Sequence, residues 1–331
     1  MKTMPTLLDA YQAHSRIKPL IRQTPVIASA DLVEKTGARS VHLKLECLQN
    51  TGSFKVRGAA NKILSLSDNE KKRGVITFST GNHGKAVAYV AAQVGVNAVV
   101  CLSEHVASYR AEMIKAFGAE VSLKGHSQDE AEKNYQQLMA SRGLVPVVPF
   151  DDPMIIAGQG TIALETLSVL PDTDVLMIPL SGGGLLAGVA MVAKSINPRI
   201  HVVGLSIERS PAMMESLKAG MPVQVKENDS IADSLLGGVG FNNQYTLRMV
   251  DKFADEHQLI SEEEIKEGMF YIFDKQRLIV EGAGAVAIGA LINKKINVNG
   301  KRVVALLSGS SINSEEYMRI IQSRFTNRGE S

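Results

Sequence analysis

The sequence predicts an α/β protein made of two doubly wound αβα domains. Three observations carry that expectation. Between Gly74 and Pro149, short apolar segments of strand length alternate with helical ones. A second such run starts after Asp151-Asp152-Pro153 and continues past Leu307. Several strand-to-helix junctions are rich in glycine and small polar residues, as in Ser181-Gly182-Gly183-Gly184. Short apolar strands between helices imply a parallel sheet covered on both faces. Two domains of that kind place their ligand in the cleft between them, at the carboxyl ends of the strands.

Residues 6–18 read as a helix with Leu7, Leu8, Tyr11 and Ile17 on an apolar side and Asp9, Gln12 and Arg16 on a wet one. Thr24-Pro25 makes an extended break, because proline drives the residue before it out of the helical region. Ser29 is placed to cap a short helix over 31–35, which stops at Gly37. Val41, Leu43 and Leu45 alternate with His42, Lys44 and Glu46, the period of a strand. A polar turn over 50–53 leads into a helix through Leu64, with Ser53 as its cap. The first run then gives strands over 74–78, 97–102, 120–123 and 145–149. Helices over 82–94, 109–117 and 128–141 lie between them, the last two closed by Gly118 and Gly143. The second run gives helix 155–170, strand 174–180, helix 185–195, strand 201–207 and helix 211–219. It resumes with helix 262–276, helix 284–292, strand 302–307 and helix 313–323. The acidic start Glu262-Glu263-Glu264 after Ser261 suits a capped helix terminus rather than a set of metal ligands.

Composition narrows the function classes. The chain has 331 residues, 45% apolar and 21% charged, enough to bury a large core. A net charge of +2 gives no strong pull toward nucleic acid or an anionic membrane. There is no Trp and only 5% aromatic residues, which argues against a stacking platform for single strands. The run from Leu185 to Ala193 is far short of the roughly 20 residues of a membrane span. Cys47 and Cys101 stand in no metal or redox spacing and read as buried free thiols. The first residues lack the apolar core of a signal peptide, so a cytoplasmic location is the expectation.

Four stretches carry chemistry. In Asn50-Thr51-Gly52-Ser53-Phe54-Lys55-Val56-Arg57-Gly58, a lysine falls in the first turn of a helix. The helix dipole disfavours a protonated amine there, and desolvation adds to this, so the amine can act as nucleophile or base. A single lysine on a helix is ordinarily a surface residue, so the case rests on its company. Ser181-Gly182-Gly183-Gly184-Leu185 follows an apolar strand and opens a helix, an anion site made of backbone N–H groups. Ser79-Thr80-Gly81-Asn82-His83-Gly84 is dense in donors at another strand end and suits a carboxylate or a ring substituent, although an asparagine there can be a simple cap. The fourth, Ser308-Gly309-Ser310-Ser311, would be an ordinary turn if it stood alone, and Glu281-Gly282-Ala283-Gly284 is a similar helix entry of interest only in that company. Gly182, Gly184 and Ala187 also fit a loose dinucleotide fingerprint, with Glu208 as its acidic residue, which makes an NAD-dependent oxidoreductase the alternative class.

Taken in order, these stretches resemble the fold type II family of pyridoxal-phosphate enzymes, within it the serine/threonine dehydratase and serine racemase branch. Ala157-Gly158-Gln159-Gly160-Thr161 is similar to a further signature of that family. The resemblance spans nearly the whole chain and implies a tryptophan synthase β-like fold. It implies a large cofactor domain over 1–70 and 150–331 and a small domain over 71–149 inserted in it. Lys55 would carry the cofactor, pyridoxal 5′-phosphate, and remove the substrate α-proton. Phe54 would contact the cofactor, and Asn82 would meet its ring oxygen. Ser181, Gly182, Gly183, Gly184 and Leu185 would bind its phosphate, Glu281 would lie near the ring, and Ser308 would face the pyridine nitrogen. Ser79, Thr80, Asn82 and His83 would hold the substrate carboxylate. The implied reaction eliminates water from a β-hydroxy-α-amino acid such as L-threonine or L-serine, giving a 2-keto acid and ammonia. A homodimer is implied as well.

Three departures qualify this. Thr80 stands where serine racemases place a serine and many dehydratases an alanine, which puts racemisation behind elimination. The turn after Ser308 is usually Ser-Gly-Gly-Asn and is Ser308-Gly309-Ser310-Ser311 here. The racemase branch has a divalent-metal site matched by Glu208 and the Ala212 carbonyl, but its second carboxylate falls on Met214, so no specific metal is expected. Phe150-Asp151-Asp152-Pro153 and Ser206-Ile207-Glu208-Arg209 resemble dehydratases of hydroxyectoine utilisation, whose substrate would be a hydroxylated or acylated amino acid derivative.

Overall fold

The computed structural model describes residues 2–79, 81–125 and 128–328. The chain opens with α1 (Leu7–Ile17), β1 (Val26–Ala28), α2 (Ala30–Thr36) and β2 (Ser40–Leu45). After a 3-10 turn at Glu46–Leu48 come α3 (Lys55–Leu64), α4 (Asp68–Arg73), β3 (Val75–Phe78) and α5 (Asn82–Gln93). Next are β4 (Ala98–Leu102), α6 (Ser108–Ala116), β5 (Glu120–Leu123), α7 (Gln128–Arg142) and β6 (Val145–Pro146). Then follow α8 (Pro153–Val169), β7 (Val175–Pro179), α9 (Gly184–Ile196), β8 (His201–Ile207), α10 (Ala212–Ala219) and α11 (Thr246–Phe253). The chain closes with β9 (Glu256–Ile260), α12 (Glu262–Tyr271), α13 (Gly282–Ile292), β10 (Arg302–Leu307) and α14 (Ser314–Arg328).

Two sheets result, a six-stranded one in the order β1-β2-β10-β7-β8-β9 and a four-stranded one in the order β5-β4-β3-β6. Among the described residues every pairing is parallel except β1 with β2. The double winding is visible in the alternation of buried strand residues. Val175, Met177, Val203, Leu205, Val303 and Ala305 join one apolar cluster with α12 and α13. Their neighbours Leu176, Ile178, Val202, Val304 and Leu306 join another with α8 and α9 on the opposite face. Side chains two apart share a face of a strand, so one sheet feeds two cores. The smaller sheet does the same, with Val75, Ala98 and Val100 facing α5 and Ile76, Val99 and Cys101 facing Tyr135. Helix α3 packs on both α5 and α8, which puts Lys55 at the seam between the two sheets.

Glycine sets how closely the helices approach. A Cβ on Gly158 would lie 2.7 Å from the Arg57 carbonyl oxygen and from the Gly58 Cα. A Cβ on Gly188 would lie 2.2 Å from the Ile156 oxygen and 2.8 Å from the Gly160 nitrogen. The Gly158-Gln159-Gly160 stretch therefore lets α8 touch α3 on one side and α9 on the other. Gly188→Ala is expected to cost about 1–3 kcal/mol, as overpacking against unyielding backbone does. A thermal melt of the variant checks this, and an unchanged midpoint would refute it.

The structure corrects the sequence reading in several places. Ser53 does not cap α3, because it pairs in extended form with Gly309 and its hydroxyl has no partner. Phe54 takes the cap position instead, without a side-chain bond. Ser29 does sit at the cap of α2, but its hydroxyl faces Gln276 and Tyr271. The single helix expected over 262–276 is α12 followed by a π-helical turn, Ile272–Gln276, that ends at Arg277 with φ 56°. The strand expected over 145–149 forms only at its first two residues. Strands β1 and β9 and helices α4 and α11 had no counterpart in the sequence reading. Cys47 and Cys101 are both buried free thiols.

Candidate active site

Lys55 is the first residue of α3, and its position is fixed by the loop before it. The Phe54 N–H donates to the Ser308 carbonyl at 3.1 Å, and the Ser310 N–H donates to the Gly52 carbonyl at 2.9 Å. These bonds and the Ser53–Gly309 bridge zip the turn before Lys55 to the turn after β10. Gly52 takes φ 75°, a backbone state natural to glycine, and a Cβ there would press on the Ser310 hydroxyl at 3.2 Å. The lysine motif and the Ser308 turn, far apart in sequence, are thus one structural unit. The Lys55 Nζ donates to the Pro149 carbonyl at 2.9 Å and lies 5.4 Å from the centre of the Phe54 ring. Loss of water around the amine pulls it down to about 8, with the Glu281 charge partly offsetting this.

Asn82 opens α5 and is buried. Its Nδ2 donates to both oxygens of Glu281, at 2.8 and 3.1 Å, while its Oδ1 has no partner. Glu281 in turn accepts from the Ser311 N–H at 3.0 Å. Burial pushes the Glu281 carboxyl up to about 7, and the Asp233 charge adds to this against the pull of the Asn82 hydrogen bond. His83 is buried with its Nε2 2.9 Å from the Val147 carbonyl, which requires the proton on that nitrogen. Burial, and then the Lys55 charge, drop His83 to about 3, so the ring is neutral. Its Nε2 is therefore committed to the backbone, while its Nδ1 is buried without a partner and its main-chain N–H lies in the first turn of α5. Ser79 is half-buried and accepts from the Gly81 N–H at 3.4 Å. Thr80 lies outside the described residues.

Ser181, Gly182 and Gly183 lead directly into α9, with Gly183 at φ 87° as the cap and Leu185 buried in the first turn. No side chain caps this terminus, so its first N–H groups remain available to an anion. The glycines have a second reason. A Cβ on Gly182 would sit 2.4 Å from the Phe150 ring, and one on Gly184 2.9 Å from the Phe150 Cα. Pro149 and Phe150 thus form a hub, one holding the Lys55 amine and the other backing the glycine loop. Asp151 continues it, accepting from the N–H groups of Gln244, Tyr245 and Thr246 at 2.6, 2.9 and 2.9 Å. The sequence reading singled out Phe150 and Asp151 for their motif but missed this role, which depends on residues more than 90 positions away.

Ser308 directly follows β10, buried, with its hydroxyl donating to the Ala283 carbonyl at 3.3 Å. These bonds therefore link Phe54, Lys55, Asn82, Glu281 and Ser308, and Pro149 with Phe150 joins the 181–185 loop to them. The residues expected for a divalent metal do not fit one. Glu208 faces the Lys295 ammonium at 4.0 Å, the Ala212 carbonyl already accepts from the Ser216 hydroxyl at 2.7 Å, and Met214 offers no oxygen. Among the described residues no group of three His, Cys, Asp or Glu side chains is placed to hold a metal ion, and no helix is long and apolar enough to cross a membrane.

Comparison with known proteins gives the family. Residues 17–309 match the family described as pyridoxal-phosphate dependent enzyme. An L-threonine ammonia-lyase of Thermotoga maritima is 38% identical over 326 residues, covering 98% of this chain and 80% of that protein. The structure of the processed form of threonine deaminase isoform 2 from Solanum lycopersicum superposes with a TM-score of 0.87 at 30% identity, covering 97% of this chain and 95% of that one. The maize serine racemase structure superposes with a TM-score of 0.91 at 27% identity, covering 99% of this chain and 100% of that one.

Proposed function

The chain belongs to the pyridoxal-phosphate dependent enzyme family, and on that premise we propose that it is an ammonia-lyase that dehydrates a β-hydroxy-α-amino acid, with L-threonine as the reference substrate. The observation that carries the reading is the desolvated Lys55 amine at the start of α3, in a turn bonded to the Ser308 turn. The alternative of a nicotinamide oxidoreductase falls with the family.

The residues present fit the cofactor. Asn82 keeps a buried, unpartnered Oδ1 at the site, and α9 offers an uncapped N-terminus built from glycines. Lys55 would hold pyridoxal phosphate covalently, residues 181–185 its phosphate, and Phe54, Asn82, Glu281 and Ser308 its ring. When bound, the group supplies the electron sink for charge developing at the substrate α-carbon.

The rest is work for side chains of this chain. The Lys55 Nζ, as a free amine, would take the α-proton, for which a lowered amine is better matched than an ordinary lysine. The first-turn N–H groups of α5 and the Ser79 hydroxyl hold the substrate carboxylate, where the helix dipole favours negative charge. Neutral His83 adds no competing proton donor at working pH and braces α5 against Val147. Ser308 would face the ring nitrogen with a neutral hydroxyl, which would hold no added proton there as a carboxylate would and would suit prompt loss of the β-hydroxyl. Thr80 remains the candidate second-face acid or base.

Several finer points belong to the same proposal. These are the two-domain division at residues 71 and 149 with α3 at the seam, a homodimer, and a cytoplasmic location. A substrate from hydroxyectoine breakdown is the finer alternative, on the strength of the Phe150-Asp151-Asp152-Pro153 motif. The test is turnover of L-threonine by the cofactor-loaded protein, followed as keto acid and ammonia, with chiral analysis of the unreacted substrate. Steady keto acid release with no D-isomer is expected. D-isomer forming faster than keto acid would replace the reading with a racemase.

A further inference from the structure

A crevice opens beside Asn82, lined on one side by Lys85 of α5 and by Arg110 of α6, and on the other by Asp233, Ser234 and Ser311. The two cations in it are not equivalent. Arg110 is bound to Asp233 across the crevice, so its charge is answered. Lys85 is half-buried, and its Nζ donates to the neutral Ser311 hydroxyl at 3.1 Å. Glu281 is the carboxylate whose charge acts on Lys85, but its oxygens already accept from Asn82 and from the Ser311 N–H. The ammonium reaches the same Ser311 through the hydroxyl and not the carboxylate itself. An ammonium has three donors, and this arrangement leaves two of them toward the crevice. Lys85 also lies in the first turns of α5, so the helix dipole and the side chain favour negative charge at the same place.

A half-buried cation answered by a single hydroxyl has lost water without gaining an anion, a state that a ligand can relieve. Burial draws the Lys85 amine down, with the Glu281 charge opposing it. Burial raises Glu281 as well, and its oxygens are taken up by Asn82 and the Ser311 N–H rather than by the ammonium. The crevice adjoins Asn82 and the first turn of α5, whose N–H groups the functional reading assigns to the substrate carboxylate, so a second anionic group of the same molecule is the occupant it suits.

We propose that Lys85 recognises a second anionic group on the substrate, so that the preferred substrate is a β-hydroxy-α-amino acid whose side chain carries a carboxylate or comparable anion. This rests on the ammonia-lyase reading and names its substrate class. Ser311 presents the ammonium, Ser234 adds a neutral hydroxyl, and the Arg110–Asp233 pair bounds the far side.

The test uses ligands that bind without being able to lose water. L-Aspartate and L-asparagine have nearly the same shape and differ in side-chain charge. Each is titrated into the cofactor-loaded enzyme and followed by the shift of the visible cofactor band. The wild type is expected to bind aspartate at least about tenfold more tightly than asparagine. In Lys85→Gln, whose amide can still reach Ser311, and in Lys85→Met, the ratio is expected to fall to within about twofold. Equal affinities in the wild type, or a preference that survives in both variants, would overturn the proposal. L-Threonine turnover is measured alongside. Absent turnover with the aspartate preference intact would sink the elimination reading while supporting the anion site.

Discussion

Lys55→Ala is expected to abolish the visible band of the cofactor-loaded protein and to lower L-threonine turnover by about 10³-fold or more, within the range for loss of a positioned proton-transfer group. The variant removes both the covalent anchor and the α-proton base. It should leave the fold nearly intact, because the amine makes a single hydrogen bond, to the Pro149 carbonyl, worth about 1 kcal/mol. Lys55→Arg sharpens the test. Arginine keeps the positive charge but does not give up its proton at working pH, so it should fail as completely as alanine. Residual colour and activity in the arginine variant would mean that charge alone is needed. Reloading of the cofactor-free wild type gives a second readout. The amine is drawn down to about 8, and only the unprotonated form attacks a carbonyl. Protonation therefore blocks loading below that value, and the rate should rise with pH and level off just above 8. An ordinary lysine near 10.4 would keep accelerating for about two further pH units. A loading rate that climbs through pH 10 would show that burial does not tune Lys55.

The line between what was legible in the chain and what was not follows the range of the interactions. The αβ alternation, the glycine stops at Gly37, Gly118 and Gly143, and the four motif stretches depend on neighbours in sequence, and the fold class and chemistry followed from them. Helix α11 was missed because its N-terminus is capped by Asp151, 94 residues before Tyr245, and nothing local announces it. Strand β9, Glu256–Ile260, lies at a sheet edge beside β8 and lacks the apolar run that marks a central parallel strand. Ser53 looked like a helix cap because serine prefers that site, yet pairing with Gly309 took the backbone elsewhere. Tertiary contact overrode a local preference there. The glycines after Ser181 were read only as a phosphate loop, whereas Phe150 packing demands them as well. For Lys85, residue type gave no signal, since its distinction lies in which partners are missing.

Arg57→Met is expected to destabilise the protein by about 3–5 kcal/mol, the usual cost of removing one member of a buried charge cluster. Arg57, two residues after Lys55, is fully buried and holds two carboxylates at once. Its Nε and Nη2 meet Glu46 at 2.7 and 2.8 Å, and its Nη1 and Nη2 meet Glu165 at 2.7 Å each. Thr161 takes a further bond from Nη1 at 3.1 Å. Lys44 completes the set, bonded to Glu165 at 2.6 Å and to the Thr24 carbonyl at 2.9 Å. Two cations and two carboxylates balance, so no net charge is buried. The cluster ties β2 and the turn after it to α3 and α8, and only a planar guanidinium has enough donors in the right directions. Methionine fills much of the volume but leaves Glu46 and Glu165 with one lysine between them. The expected loss corresponds to a melting shift of about 4–7 °C for a chain of this size. Arg57→Lys should recover only part of it, because an ammonium cannot bridge both carboxylates side by side. Glu165→Gln should cost less than Arg57→Met, since its amide oxygen still accepts while Arg57 keeps Glu46. Because α3 begins at Lys55, the Arg57→Met protein should also release its cofactor more readily at temperatures where it is still folded. A melting point within about 1 °C of the wild type, less than the shift of a single kcal/mol, with cofactor retention unchanged, would show that the cluster is dispensable and that packing alone holds α3 in place.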